Sequence, residues 1–118
     1  MQAEAEDQGG WPVRATAEAF VPYVDAVTRR LGDRVQDWIK HNEPWCAAIL
    51  GYKTGYHAPG RTNTFDALAA GHHILLSHGW AMPVIRANVK DARAGITLNL
   101  SPTYPASSSE ADRDAARV

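Results

Sequence analysis

From residue 16 onward, apolar side chains recur every three or four positions. Phe20, Tyr23, Val24, Val27 and Leu31 form one stripe and predict a helix over 16–31. Thr16 suits its N-cap, Arg29 and Arg30 its last turn, and Gly32 a left-handed close. Pro22 removes a hydrogen bond if it lies inside, so the start falls either at Thr16 or nearer Val21. The period then shortens. Residues 34–41, RVQDWIKH, read as a strand, and 95–101, GITLNLS, alternate as a second one. Between them, 44–63 is an irregular loop rich in Gly, Tyr, Pro and Asn. A second helix follows over 64–79, with Phe65, Leu68, Ala69, His72, Leu75 and Leu76 on one stripe. It either ends near Gly79 or continues, kinked at Pro83, to about Val89. Gly9, Gly10 and Pro12 mark the first dozen residues as loop, and the tail after Pro102 holds one helical start that Ser109 could cap.

Helix, strand, loop, helix, strand is an α/β order, read most simply as two parallel strands joined by a right-handed crossover. Two parallel strands leave both edges open, whereas parallel sheets normally have more strands and helices on both faces. With 118 residues, the pattern predicts part of a larger architecture. A net charge of −1 supplies no basic field, which excludes nucleic acid and an anionic membrane surface as expected partners. No apolar run approaches the roughly 18 residues that span a bilayer. The acidic start, MQAEAEDQGG, lacks the apolar core of a signal peptide, and Cys46 is the single cysteine. The expected location is the cytoplasm.

Candidate chemistry centres on WIKHNEPWC, residues 38–46. In a regular strand Asn42 and Glu43 point to opposite faces, so both reach one site only where the strand ends and the pleat breaks. Pro44 pushes the residue before it toward an extended backbone, which would hold Glu43 in place. The carboxyl ends of strands are where α/β folds keep their sites. A plain turn carrying a solvated glutamate fits the same residues. Other candidates read as structural. His72 and His73 are adjacent, share no helix face and lack metal-ligand spacing, so His72 is expected to pack on the apolar stripe and no metal is expected. Cys46 suits a small buried position. Gly51, Gly55 and Gly60 lack the strand–helix context of a phosphate loop, and Tyr52, Tyr56 and Tyr104 suit loop packing.

Three stretches in order, WIKHNEPWCAAILGYKTGYHAPG, ALAAGHHILLSHG and GITLNLSPTYPAS, resemble the family-1 glycoside hydrolases, the β-glucosidase family. The resemblance covers nearly the whole chain from about Glu6 and implies part of a (β/α)8 barrel, with 34–41 as strand four, 95–101 as strand five and 16–31 as the helix after strand three. On this resemblance the single partial domain, residues 1–118, runs from after strand three to after strand five. Glu43 then matches the general acid/base and Asn42 the amide that binds the sugar 2-hydroxyl. Trp45, Leu50 and His57 match the aglycone entrance, and Asn99 a polar position near the sugar. The expected substrate is a β-glucoside or oligosaccharide, and no cofactor is implied.

The sequence departs from this family at Lys40, where threonine is usual. A cation there either lowers the pKa of Glu43 or faces the surrounding helices. Trp80 and Pro83 also depart, in a helix that is usually more polar. A retaining glycosidase needs a second carboxyl about 5–5.5 Å from the first, as nucleophile. The family carries it in a later TENG segment that these residues do not include, and the sugar-holding Gln and His-Trp pairs are also lacking. Glu110, Asp112 and Asp114 lie in the tail, and Asp91 precedes the second strand. The expectation is an inactive, marginally stable chain with no nucleophile of its own. The alternative is a non-catalytic sugar-binding or barrel-completing chain, partnered by missing barrel segments or by itself.

Overall fold

A connection of a dozen or more residues built on a helix leaves two strands parallel, and this chain follows that rule. The computed structural model describes residues 3–117. Their order is α1 (Ala3–Asp7), α2 (Arg14–Leu31), β1 (Asp37–Asn42), a π-helix (Cys46–Lys53), α3 (Thr64–Asn88), β2 (Arg93–Thr97) and α4 (Glu110–Ala115). Strands β1 and β2 pair in parallel, with Asp37 opposite Arg93 and Asn42 opposite Thr97. A two-pronged ion pair between Arg93 and Asp37, at 2.6 and 2.7 Å, fastens the first rung. The strand bounds differ from the expected ones by a few residues. The turn after α2 holds 34–35 through bonds from the Arg34 and Val35 amides to the Leu31 carbonyl.

Helix α2 starts earlier than either expected position. Val13 is its N-cap without a side-chain bond, and Thr16 Oγ1 instead donates to the Gly10 carbonyl at 2.6 Å. Pro22 lies inside the helix. Gly32 is right-handed (φ −67°), so its conformation is one that any residue adopts. Space explains it: a Cβ there would lie 2.5 Å from the Thr28 carbonyl and 2.7 Å from Val89 Cγ2. The first dozen residues are not all loop. Residues 3–7 are helical, and side chains distant in sequence, Tyr52 and Arg61, grip Glu6 within them.

Helix α3 runs through Pro83 to Asn88, and Asn63 caps it by accepting from the Phe65 and Asp66 amides at 2.8 and 3.3 Å. Its buried face is Ala67, Ala70, Ile74, Ser77, Ala81 and Ile85. The stripe expected from periodicity is the other one, with Phe65 (84% exposed), Leu68 and Leu75 open to solvent. A helix apolar all round has two candidate faces. The small alanines win because they allow Ala48 and Tyr52 of the π-helix to approach closely. The predicted cap at Ser109 is present, its Oγ accepting from the Asp112 amide at 3.1 Å.

Both long helices cover one face of the sheet. Val24 of α2, Ala81 and Ile85 of α3, and Val89 form the core there, with Trp38 and Ala94 of the strands packed against it. Among the described residues no element covers the other face, and Ile39 is 69% exposed. The resulting slab measures 54 × 36 × 18 Å with a radius of gyration of 17.4 Å. A compact chain of this length would have about 13.5 Å.

Candidate active site

The pleat of β1 breaks before its end. Trp38 and Lys40 turn toward the helices and Ile39 away, but His41 is buried on the helix side as well. The register shifts between Ile39 and Asn42, so one residue is added to β1 against β2. Such a bulge re-aims the side chains beyond it. Asn42 emerges exposed, and Glu43 leaves the strand with φ +46°, a left-handed value that costs about 1–2 kcal/mol for a residue with a Cβ. The extended conformation expected ahead of Pro44 is therefore not adopted. Two backbone bonds hold Glu43 there. Its amide donates to the Thr97 carbonyl at 2.9 Å, and its carbonyl accepts from the Ala47 amide at 3.2 Å. Glu43 is half-buried at the carboxyl ends of both strands, while Pro44 is buried and Trp45 is 54% exposed.

Asn99, exposed past the end of β2, donates from Nδ2 to Cys46 Sγ at 3.4 Å. The strand ends thus bring Asn42, Glu43, Trp45 and Asn99 to one end of the sheet. Leu50 lies on the π-helix, and the His57 amide donates to its carbonyl at 2.9 Å, which joins those two to each other. Lys40 faces the helices: Nζ lies 2.7 Å from Met82 Sδ and 3.4 Å from the Gly95 carbonyl. Burial, reinforced by Arg86, holds its ammonium below the usual lysine range.

Two arrangements carry no sequence signal. The Tyr52 ring is 1% exposed, and its hydroxyl donates to Glu6 Oε2 at 2.7 Å while accepting from the Trp11 amide at 3.2 Å. Arg61 pairs with the other Glu6 oxygen at 3.0 Å without aligning a hydrogen bond, and its guanidinium sits 5.6 Å over the Tyr52 ring. Burial first, then the bond to Glu6, pushes the phenol well above its usual range. The Arg61 and Asn63 amides donate to the Gly51 and Tyr52 carbonyls at 3.0 and 2.7 Å, which folds loop 54–63 back on the π-helix. Glu6 and Tyr52 are too far apart in sequence for periodicity to link them.

The second arrangement is His41. Its ring stacks on Phe20 (4.5 Å, 26°) and meets the Trp11 ring edge-on (5.5 Å). Ser77 Oγ donates to the Ile74 carbonyl at 2.8 Å and lies 2.9 Å from His41 Nε2, an arrangement that suits the Nε2–H tautomer as donor to that oxygen. Burial, then His78 and Lys40, lowers His41 to about 4. The flanking aromatic faces favour an imidazolium by about 0.5–2 kcal/mol, less than the several kcal/mol that burying an unpaired charge costs. His72, expected to pack, is exposed; its neighbour His73 is half-buried and bonds the Trp11 carbonyl through Nδ1 at 3.0 Å. Among the described residues no three His, Cys, Asp or Glu side chains converge as metal ligands. No described helix is long and apolar enough to cross a membrane.

A carboxyl, an amide and an indole thus stand at the carboxyl ends of parallel strands, with helices on one side, the end at which barrel enzymes keep their sites. The family model for glycosyl hydrolase family 1 matches residues 2–118. Beta-glucosidase A of Acetivibrio thermocellus is 42% identical over all of this chain and 26% of its own length. The Beta-glucosidase of Agrobacterium sp. is 46% identical over 92% of this chain and 24% of its own. Among solved structures, the Thermotoga maritima family 1 glycoside hydrolase complexed with a cyclophellitol analogue transition state mimic superposes with a TM-score of 0.88 at 41% identity. That match covers 95% of this chain and 25% of the other. The chain belongs to glycosyl hydrolase family 1, and its fold is a partial (β/α)8 barrel. It spans about a quarter of the length of the curated relatives it matches.

Proposed function

We propose that this chain carries the acid/base half of a retaining β-glucosidase site, on barrel strands four (β1) and five (β2). The observation that carries this reading is the placement of Asn42 and Glu43 side by side past the bulge, at the carboxyl end of the sheet. Glu43, as the acid, protonates the glycosidic oxygen of a β-glucoside, and as carboxylate it then activates the water that hydrolyses the glycosyl intermediate. Asn42 binds the 2-hydroxyl, a contact that tightens as oxocarbenium character grows. Trp45 offers its exposed indole to the aglycone beside Leu50 and His57, and Asn99 lies near the sugar.

The nucleophile stands outside residues 1–118. Asp112 accepts from the Ser107 hydroxyl, and Asp114 pairs with Arg117 at 3.5 Å, so these tail acids are engaged locally. Asp91 lies at the opposite end of β2. The 118-residue chain is therefore expected not to hydrolyse an aryl β-glucoside, with or without Glu43→Gln. Turnover abolished by Glu43→Gln would sink the incomplete-site reading, because a second carboxylate would then be reaching Glu43. The role itself is tested in a chimera in which residues 2–118 replace the matching segment of the A. thermocellus relative. There Glu43→Gln should cost about 10²–10⁴-fold on a substrate with a poor leaving group and far less on a dinitrophenyl glucoside. Equal losses on both would remove Glu43 from the acid role.

A second reading is favoured by the bare sheet face at Ile39. In it the chain is a non-catalytic unit that completes a barrel with other segments, which co-purification with a complementary fragment would test.

A further inference from the structure

We propose that His41 is a proton-sensitive positioning residue: its neutral imidazole locks the end of β1, and with it Asn42 and Glu43, onto α3, and acid releases the lock. Its service to an acid/base residue rests on the proposed glycosidase function, but the lock itself does not. The bulge in β1 turns His41 inward where regular alternation would have turned it out, one residue before Asn42. From there a relay runs from Nε2–H to Ser77 Oγ and on to the Ile74 carbonyl, joining the strand end to the middle of α3. Phe20 and Trp11 close over the ring and hold its plane.

The surroundings have no place for a second positive charge. From β1 the charged neighbour is Lys40, and from α3 it is His78, with Arg86 acting on Lys40. Helix α2 contributes Phe20, and the turn after α1 contributes Trp11, whose carbonyl is held by His73. None of these groups is an acid. His78 offers no relief, because its Nδ1 is buried without a hydrogen-bond partner among the described residues. The folded imidazole therefore titrates near 4 rather than 6.5. The folded state binds fewer protons than the unfolded state between those values. The contribution of His41 is complete above pH 6.5 and is lost as pH falls toward 4.

The test is a long-range ¹H–¹⁵N spectrum of the histidine rings in the 118-residue chain from pH 8 to pH 4, beside urea unfolding over the same range. His41 should appear as the Nε2–H tautomer at pH 8 and titrate below pH 5, with the Asn42 and Glu43 amides moving at the same midpoint. Its share of the folding equilibrium constant should fall roughly 15- to 30-fold between pH 8 and pH 5, and that share should vanish in His41→Phe. A midpoint near 6.5, an Nδ1–H tautomer, or an unchanged acid loss in His41→Phe would overturn the lock. Amides at 42 and 43 that ignore the His41 titration would overturn its positioning role. The spectra decide even where the variant fails to fold. None of these readouts involves hydrolysis, so failure here stays distinct from failure of the glycosidase reading.

Discussion

Glu43 holds a left-handed backbone angle that its side chain disfavours, and two main-chain bonds from different elements keep it there. Strain of this kind persists only where the surrounding structure over-determines it. It also makes a prediction about stability. Glu43→Gly relieves the strain while adding freedom to the unfolded chain, and should leave stability within about 1 kcal/mol of the parent. Glu43→Val cannot relieve it and should lose about 1–3 kcal/mol. Urea midpoints of the two variants test this; if glycine proved as costly as valine, the positive φ would not be what strains the site. At this scale Asn42 and Glu43 are legible in the sequence, since a strand-like run ending in NEP is a local pattern. Which way His41 points is not legible, because a bulge reverses alternation without altering composition.

Helix α3 shows how an element can be recognised while its orientation is missed. Its existence follows from local periodicity within the segment, while the Asn63 cap is a feature of the folded chain. Its packed face depends on the π-helix and α2, which choose the alanine side because small side chains permit close approach. Ile74 is 2% exposed, and Ile74→Ala should cost about 2–5 kcal/mol. Leu75, one position on and 54% exposed, should change stability by no more than about 0.5 kcal/mol when cut to alanine. Equal costs in denaturant unfolding would mean that both faces are covered in solution. The π-helix at 46–53 reads as loop in the sequence for a related reason. Its glycine and tyrosine resemble turn punctuation, and the bonds that fold loop 54–63 back onto it come from residues beyond its end.

At the scale of the molecule, the slab leaves one sheet face and both outer strand edges without a neighbour among the described residues. Ile39 within β1, and Leu98 and Leu100 past the end of β2, are large apolar side chains that stand exposed. Open strand edges and exposed large apolar side chains favour association. The chain should therefore self-associate in sedimentation velocity, and Ile39→Lys should shift it toward monomer while changing urea stability by no more than about 0.5 kcal/mol. A parent chain already monomeric at the same concentration would show that the face is tolerated bare.

Local sequence is enough for the family, the α/β order, the parallel pairing and the acid–amide pair at the strand end. All of these rest on patterns a few residues to a few tens of residues long. Folding in three dimensions was needed to set the bulge that separates His41 from Asn42, the left-handed turn at Glu43, the buried face of α3 and the grip of Tyr52 on Glu6. Each of these joins groups distant in sequence or chooses between two faces that local periodicity leaves equivalent. The choice is made by close packing and by the need of every buried polar group for a partner, and both exist only once the chain is folded.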